Sequence, residues 1–188
     1  MFIVFEGIDG TGKSTQVQLL ADALRAKGHE VITSKEPTDG PHGSRLRNSA
    51  ETGRLSPQEE LDLFHLDRKE HIETLIQPAL DRGAVVILDR YYFSTMAYQG
   101  TRGFDPVEIR RINEEFAPLP DHVFILEVPI DIALERIGVR DGEANEFEQR
   151  ESLESCHKIF SALSDDFIHR IDATNPPEEV HSDVVNQL

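Results

Sequence analysis

The chain has 188 residues, of which 38% are hydrophobic and 29% are charged, and its formal net charge is −16. This composition is typical of one globular domain, and the length allows a substantial buried core. The negative charge argues against a nucleic-acid backbone as partner, because that needs a basic surface, but a single nucleotide stays possible.

Targeting segments and disulfides are not expected. No run of about 18 apolar residues occurs, so we predict no transmembrane helix. The first apolar stretch lacks preceding basic residues and is interrupted by Glu6, which argues against a signal peptide. The single cysteine, Cys156, excludes an internal disulfide and favours a cytoplasmic location, with Cys156 as a structural helix residue. The acidic, lysine-poor composition fits either adaptation to high salt or an ordinary solvated surface.

The first predicted strand, residues 2–5, leads into a glycine-rich loop and then into a helix ending near Lys27. Residues 7–14 match G-x-x-x-x-G-K-[ST], the Walker A phosphate loop. Glycines let successive N–H groups point at one anion, and the helix N-terminus adds the positive end of its dipole. In this motif Lys13 reaches the β- and γ-phosphates and the Ser14 hydroxyl binds Mg²⁺. The predicted phosphate-binding residues of the ATP site are Gly7, Ile8, Asp9, Gly10, Thr11, Gly12, Lys13, Ser14 and Thr15.

Strands and helices alternate through the rest of the chain. Further strands are predicted at 29–33, 84–88, 123–126 and 169–172. Helices are predicted at about 44–50, 57–80, 92–99, 106–116 and 130–137, then around 153–167 and from 177 onward. This alternation predicts a three-layer α/β fold over residues 1–188, with a five-stranded parallel sheet flanked by helices. Glycines interrupt the apolar pattern at 138–145, so we expect a short mobile lid at about 138–148.

Two segments with polar side chains follow predicted strands. In parallel sheets ligands bind at the carboxyl ends of the strands, so the phosphate loop and Asp89-Arg90 should border one crevice. Arginine side chains bind phosphate groups through paired N–H groups, which favours an acceptor monophosphate beside the loop. Taken singly, each arginine could instead be a solvated surface residue. The candidates, from segments predicted to border the crevice, are Arg45, Arg47, Arg68 and Arg90.

Several motifs occur together in this chain, and in combination they resemble the thymidylate kinase family over nearly the full length. They are the loop segment 5–15, Glu36-Pro37, Leu63-Phe64-x-x-x-Arg68, Asp89-Arg90-Tyr91, Ser94 through Ala97-Tyr98-Gln99-Gly100, and Leu126-Glu127-Val128-Pro129. Many families share the phosphate loop, whereas the Asp-Arg-Tyr and S-x-x-A-Y-Q-G pair is specific. The resemblance implies a P-loop NTPase fold, phosphoryl transfer from ATP to dTMP with Mg²⁺, and a homodimer for which helix 57–80 is a candidate face.

The resemblance also implies roles for individual residues. Asp9 should meet the sugar 3′-hydroxyl of dTMP, and Arg47 and Arg90 should hold its phosphate. Phe64 should stack on thymine, where the residues alone would favour a helix-core position, and Arg68 should bond the base edge. Tyr98 should pack under the deoxyribose. The predicted dTMP site is Asp9, Glu36, Arg47, Phe64, Arg68, Arg90, Ser94, Thr95, Tyr98 and Gln99; the predicted metal site is Ser14, Asp9 and Asp89.

One catalytic arginine is expected from the lid. In the family it comes from the phosphate loop or the lid, and the loop position here is Gly10. Where bacterial members usually have Asp-Arg-Phe-Glu, this chain has Asn145-Glu146-Phe147-Glu148. Of the remaining Arg136, Arg140 and Arg150 we favour Arg140 and then Arg136. The predicted catalytic residues are therefore Lys13, Asp9, Arg90, Arg140 and Arg136.

Two other interpretations stay open at this stage. A deoxynucleoside kinase on the same scaffold would need a carboxylate base, for which Glu6, Glu36 and Asp89 are candidates. A nucleotide-binding module that has lost turnover would explain the altered lid. The preference for dTMP over dUMP also stays open.

Overall fold

The computed structural model describes the backbone of residues 1–53, 55–141 and 146–188, and the side chains of these residues except 50–52, 139–141 and 146–149. Within this part, five strands form one sheet in the order β2-β3-β1-β4-β5, and every pairing is parallel. The strands are β1 (Phe2–Glu6), β2 (Val31–Lys35), β3 (Val85–Asp89), β4 (His122–Glu127) and β5 (Ile168–Asp172). The predicted five-stranded parallel sheet is confirmed.

Helices connect consecutive strands and flank the sheet. A π-helical turn, Ile72–Ile76, joins α3 to α4, so the predicted helix 57–80 is one continuous helical segment. Its start is confirmed by a capping box, in which Ser56 and Glu59 bond each other's backbone N–H groups. The helices are α1 (Lys13–Ala26), α2 (Pro41–Thr52), α3 (Pro57–His71), α4 (Gln77–Asp81), α5 (Tyr92–Gly100), α6 (Pro106–Glu114), α7 (Ile130–Asp141), α8 (Glu146–Ser161) and α9 (Pro177–Val185).

The core lies on both faces of the central strands. All five residues of β1 are buried, and so are the first four of β3, as expected for strands covered by helices on both sides. On the helical layers, α1 packs against α9, and α5 packs against α6 and α8. Cys156 of α8 is fully buried in this core, in agreement with its predicted structural role.

Some predicted boundaries are displaced. β2 starts at Val31, two residues later than predicted, because His29 still donates its N–H group to the Leu24 carbonyl in the C-terminal cap of α1. α7 continues through Gly138 to Asp141, beyond its predicted end at 137, and a Cβ atom at Gly138 would meet no neighbour within 4 Å. The remainder of the predicted lid, 142–148, lies outside the residues whose side chains are described.

The sheet order determines which loops meet. β1 and β3 are direct neighbours, with Phe5 paired to Asp89, so the segments that follow them leave the sheet side by side. The N–H group of Arg90 bonds the Phe5 carbonyl oxygen over 2.9 Å, and Arg90 has a φ of 73°. This left-handed conformation is strained for a non-glycine residue, and such residues concentrate at functional sites. Among the residues that the structure describes, no helix is long and apolar enough to cross a membrane.

Candidate active site

The phosphate loop joins β1 to α1 at the carboxyl edge of the sheet. Gly7, Gly10 and Gly12 have φ values of 130°, 82° and 90°, which favour glycine. At Gly10 a Cβ atom would also lie 2.6 Å from the carbonyl oxygen of Ala133 in α7, so this packing leaves no room for a side chain. Gly12 gives α1 no side-chain cap, which leaves the first N–H groups of the helix available to an anion.

Lys13 is folded back onto the loop. Its ammonium group donates hydrogen bonds to the carbonyl oxygens of Gly7 and Ile8 at 3.1 and 2.7 Å, and the side chain is buried. Burial, reinforced by the positive charge of Arg90, lowers the pKa of Lys13 to about 7. The lysine is therefore next to the loop's anion site but only partly charged near neutral pH.

Ser14 and Asp89 form the part of the predicted metal site that the structure brings together. The Ser14 hydroxyl donates to Oδ2 of Asp89 over 2.5 Å. Both groups are hard oxygen donors of the kind that bind Mg²⁺ together with phosphate oxygens and water. Among the described residues, no group of three or more His, Cys, Asp or Glu side chains is placed to hold a metal by itself. A cation here would thus depend on a bound nucleotide for most of its ligands.

A cavity of about 390 Å³, which we call the Arg90 cavity, lies beside the loop. Its walls come from the loop, the segment after β2, and helices α2, α3 and α5, and its size is typical of small-molecule sites. Arg45, one of the four arginines expected at the crevice, is exposed and does not line it. All ten residues predicted for the dTMP site do line it: Asp9, Glu36, Arg47, Phe64, Arg68, Arg90, Ser94, Thr95, Tyr98 and Gln99.

Arg90 is the centre of a hydrogen-bond network at the mouth of the loop. Its guanidinium donates to Oδ1 of Asp9 at 2.7 Å, to Oγ of Ser94 at 2.8 Å and to the Tyr98 hydroxyl at 3.3 Å. The Tyr98 hydroxyl in turn donates to Oδ2 of Asp9 at 3.0 Å. Burial alone would raise the pKa of Asp9, but the charges of Arg90 and Lys13 outweigh burial and lower it. Asp9 therefore stays ionised and faces the Arg90 cavity.

Arg68 is buried at the base of the same cavity and is held by several partners. It is 1% exposed and donates from Nε and Nη2 to the Glu36 carboxylate at 2.8 and 2.6 Å. Nη2 also donates to the Thr95 hydroxyl at 3.0 Å, and Nη1 donates to Oδ1 of Asn113 at 2.6 Å. A guanidinium has five N–H groups, so one on Nη1 is left for a ligand. His71 bonds the second oxygen of Glu36 at 3.1 Å.

Arg47 and Phe64 form the more open side of the cavity. The Arg47 guanidinium donates to the carbonyl oxygens of Pro37 and Thr38 at 2.9 and 2.6 Å and pairs with Asp39 at 2.9 Å. These partners lie on an exposed surface, so they hold the Arg47 guanidinium weakly. Phe64 is half-buried and lines the cavity instead of joining the main hydrophobic core, so its aromatic ring is accessible to a ligand.

A second cavity of about 280 Å³, which we call the Arg136 cavity, opens at Gly10 and Gly12 of the loop. The Arg136 guanidinium donates to the carbonyl oxygens of Gly10 at 3.3 Å and Ala173 at 3.2 Å. Polar and apolar side chains are mixed around it, which suits the nucleoside part of a nucleotide whose phosphates lie on the loop. Its lining is Gly10, Thr11, Gly12, Thr15, Gln16, Arg136, Ala173, Asn175, Pro177 and Val180.

Comparison with known proteins agrees with this arrangement. A family profile described as thymidylate kinase matches residues 5–184. The chain belongs to the thymidylate kinase family. A protein named thymidylate kinase from Akkermansia muciniphila is 55% identical over 186 residues, which cover 99% of this chain and 90% of that protein. Proteins of the same name from Desulfotalea psychrophila and Xanthomonas campestris are 45% and 48% identical and cover 99% and 96% of this chain, and 93% and 79% of their own lengths.

The predicted site residues of this family member fall into separate groups. Asp9 bonds Arg90 and Tyr98 through both carboxylate oxygens, so it lies with the acceptor residues, apart from the Ser14–Asp89 pair. Arg136 lies against the loop at Gly10. The side chain of Arg140, our preferred lid arginine, lies outside the described residues, and its role stays a prediction.

Sequence analysis missed an ion pair that closes the far wall of the Arg90 cavity. Arg102 pairs with Glu60, and both line the cavity. Glu60 also accepts a hydrogen bond from Nε2 of Gln99 at 3.3 Å, and Oε1 of Gln99 is buried with no partner among the described residues. A carboxylate can only accept, so Glu60 fixes which end of the Gln99 amide faces it. No spacing in the sequence links the two residues, because Glu60 is in the first turn of α3 and Arg102 comes just after α5.

Proposed function

We propose that this protein transfers the γ-phosphoryl group of ATP to dTMP, which gives dTDP and ADP and leads toward dTTP. The observation that carries the proposal is the direct contact between two sites. Asp9 belongs to the phosphate loop and Arg90 to the end of β3, and their side chains are hydrogen-bonded at the wall of the Arg90 cavity. A donor phosphate on the loop and an acceptor phosphate at Arg90 would therefore be neighbours.

The polar groups of the Arg90 cavity complement thymine. Arg68 has one free N–H group, and Gln99 has one free acceptor oxygen, Oε1. Thymine offers an acceptor at O4 and a donor at N3, whereas cytosine offers the opposite pattern at these positions. The ring of Phe64 supplies an apolar surface for stacking. This pattern supports a thymine or uracil base and disfavours cytosine.

Sugar and phosphate recognition follow from the loop side of the cavity. In our proposal Asp9 accepts a hydrogen bond from the 3′-hydroxyl, and the Tyr98 ring occupies the space that a ribose 2′-hydroxyl would need. Arg90 binds the dTMP phosphate from its fixed position on the sheet. Arg47 joins it by exchanging its surface partners for the phosphate, a stronger, charge-assisted interaction.

Phosphoryl transfer requires charge neutralisation and alignment more than covalent chemistry. Lys13 and the N–H groups of the loop and α1 hold the ATP phosphates, and Arg90 holds the attacking phosphate in line. The Ser14 hydroxyl and the Asp89 carboxylate have the donor chemistry to hold Mg²⁺, which when bound would supply positive charge beside the phosphates. Arg136 is engaged with two backbone carbonyls, so we propose Arg140 as the arginine that covers the transferred group.

The carboxylates required by a deoxynucleoside kinase are not free. Glu6 is 0% exposed and accepts hydrogen bonds from the start of α5. Glu36 is paired with Arg68 and His71, and Asp89 accepts from Ser14. None of these three is placed as a base for a 5′-hydroxyl group, which supports a monophosphate acceptor.

An acceptor panel tests the proposal. The rate of ADP formation is measured with dTMP, dUMP, UMP, dCMP and thymidine at one ATP–Mg²⁺ concentration. We expect the highest kcat/KM with dTMP and the lowest with dCMP and thymidine. A preference for thymidine or UMP would refute the proposal, and binding of ATP and dTMP without ADP formation would identify a module without turnover. The Lys13→Met variant, purified in parallel, controls for contaminating kinases.

We also propose that the protein acts in the cytoplasm as a homodimer packed through the face of α3. Leu66 of α3 is 46% exposed and Val107 of α6 is 73% exposed, which are high values for large apolar side chains. Light scattering on the purified protein should give twice the mass of one chain, and the Leu66→Glu variant should have the mass of a single chain. A monomeric wild-type protein at micromolar concentration would contradict the dimer.

A further inference from the structure

Glu6 is an ionisable residue for which the proposed reaction has no use. It is the last residue of β1, directly before the phosphate loop, and its side chain is 0% exposed. It lines neither the Arg90 cavity nor the Arg136 cavity, so it touches neither substrate. A buried carboxylate is costly unless its neighbours stabilise it, and here burial raises its pKa to about 7 despite its hydrogen bonds. Such a costly position calls for a function.

The first function of Glu6 is to cap a helix from another element. Tyr91, the N-cap residue of α5, provides no side-chain cap. Oε1 of Glu6 accepts the N–H groups of Tyr91 at 2.7 Å and Ser94 at 3.2 Å. Both groups belong to the helix start, where N–H groups lack intrahelical partners. The Ser94 N–H group also bonds the Tyr91 carbonyl oxygen at 3.1 Å, so the Tyr91 N–H group depends more on Glu6. A neutral oxygen acceptor could serve equally well, so capping alone does not explain a carboxylate.

The second oxygen of Glu6 controls a hydroxyl group. Oε2 accepts the Ser94 hydroxyl at 2.6 Å. In its ionised form Glu6 can only accept, so the Ser94 proton then points at Glu6. This leaves the Ser94 lone pairs for Nη1 of Arg90, which donates to Oγ at 2.8 Å. The same guanidinium reaches Asp9 through Nη2. Glu6, Ser94, Arg90 and Asp9 thus form one directed chain of hydrogen bonds that ends at the loop.

We propose that Glu6 is a positioning residue for the acceptor phosphate: by orienting the Ser94 hydroxyl, it holds the Arg90 guanidinium in the Arg90 cavity. The inference rests on the proposed function only through the role of Arg90 as the dTMP phosphate ligand. It assigns Ser94, predicted as a residue of the dTMP site, to the support of Arg90. Ser94 acts together with Asp9 and Tyr98, which also bond the guanidinium, to hold a side chain that leaves a strained, left-handed residue.

Glu6→Gln separates the two functions of Glu6. The amide oxygen of glutamine can still accept the two N–H groups of α5, so the cap is retained. The amide nitrogen then faces Oγ of Ser94 as a donor, which occupies a serine lone pair and releases the hydroxyl proton from its orientation toward residue 6, so that the proton competes with Arg90 for the space around Oγ. We expect the KM for dTMP to rise at least about tenfold, with the KM for ATP within about twofold of wild type. The matched control is Glu30→Gln, which removes a carboxylate from an exposed ion pair with Arg82.

A double-mutant cycle decides whether the effect passes through Ser94. In the Ser94→Ala background, Glu6→Gln should change kcat/KM for dTMP by less than about twofold, since the hydroxyl that it orients is absent. The proposal would be overturned if the effects of the two substitutions on kcat/KM for dTMP were additive. It would also be overturned if Glu6→Gln left the KM for dTMP unchanged or raised the KM values for dTMP and ATP equally. If Glu6→Gln fails to fold, Ser94→Ala alone suffices, because an unchanged KM for dTMP there also overturns it. Wild-type protein inactive on dTMP would instead refute the proposed function.

Discussion

Nη2 of Arg90 lies 2.7 Å from Oδ1 of Asp9, although the two residues follow different strands. Asp9 is in the phosphate loop after β1, and Arg90 directly follows β3. Their charges support each other: Arg90 lowers the pKa of Asp9 against the effect of burial, and Asp9 helps to keep Arg90 protonated. The pair links the two proposed substrate sites, so a substitution in it can test whether one site is affected without the other.

Arg90→Ala should reduce kcat/KM for dTMP by more than about tenfold, because a charge-assisted contact with the acceptor phosphate is lost. ATP binding should be nearly unchanged, since the loop and Lys13 keep their backbone contacts. Steady-state kinetics with each substrate varied in turn measures both effects. Arg111→Ala is the control, because Arg111 is an exposed residue of α6 that pairs with Glu108 and Glu115. Equal losses for both substrates would argue against Arg90 as a dTMP ligand.

Phe64→Ala should raise the KM for dTMP about tenfold or more, because the aromatic surface offered to the base is removed. Its effect on stability should be small for a large-to-small change, since Phe64 is only half-buried. Leu119→Ala is the control for kinetics, because Leu119 is a large apolar residue that is 57% exposed and lines neither the Arg90 cavity nor the Arg136 cavity. A strong loss of thermal stability without any change in KM would make Phe64 a structural residue.

Arg68→Met should destabilise the protein by roughly 3–5 kcal/mol, because it leaves the buried Glu36 carboxylate without its main partner. Denaturant unfolding of variant and wild type measures the free-energy difference. Adding Glu36→Gln to this variant should recover part of the loss, since the uncompensated charge is then removed. If Arg68→Met unfolds with wild-type stability, the network around Glu36 contributes to ligand specificity and adds nothing to folding stability.

ATP binding should take up a proton at pH 8. Burial lowers the pKa of free Lys13 to about 7, so at pH 8 this lysine is mostly neutral. An adjacent phosphate favours the charged form of Lys13 and raises its pKa. ATP binding therefore adds a proton at any pH that lies above the pKa of Lys13 in the free protein and below its pKa in the complex. Calorimetry of ATP binding in two buffers of different ionisation enthalpy measures the uptake. Heats that are independent of the buffer at pH 8 would contradict the prediction, and Lys13→Met should abolish the uptake.

Motif spacing was sufficient to locate the loop and the parallel sheet, whereas most of the predicted residues that line the Arg90 cavity were assigned through the family resemblance. Segments at the carboxyl ends of neighbouring strands must meet, so Asp89 and Arg90 could be assigned to the loop's crevice before the strand order was known. Phe64 could be assigned only through the family resemblance, because an apolar residue at helical spacing is more often part of the core. Its exposed face in the cavity depends on how α3 is rotated, which periodicity alone leaves ambiguous.

Contacts between distant polar residues could not be predicted. Arg68 reaches Asn113 on α6, and Arg102 reaches Glu60 on α3; each pairing depends on tertiary packing and leaves no periodic signal. Glu6 looked like an interruption of an apolar strand, and only its buried bonds to Tyr91 and Ser94 reveal why a charge is tolerated there. The end of α7 was misplaced because Gly138 was read as a helix terminator, whereas the helix continues to Asp141.

The π-helical turn between α3 and α4 has a consequence for how this helical segment could have evolved. The N–H group of Gln77 bonds the Ile72 carbonyl, five residues back, which is the pattern left by inserting one residue into a regular helix. Winding all of the present residues as a regular α-helix would rotate Ile76 and Ala79 by about 100° relative to Phe64 and Arg68. The extra residue therefore allows the start of the segment to face the ligand cavity while the end of the same segment packs in the hydrophobic core.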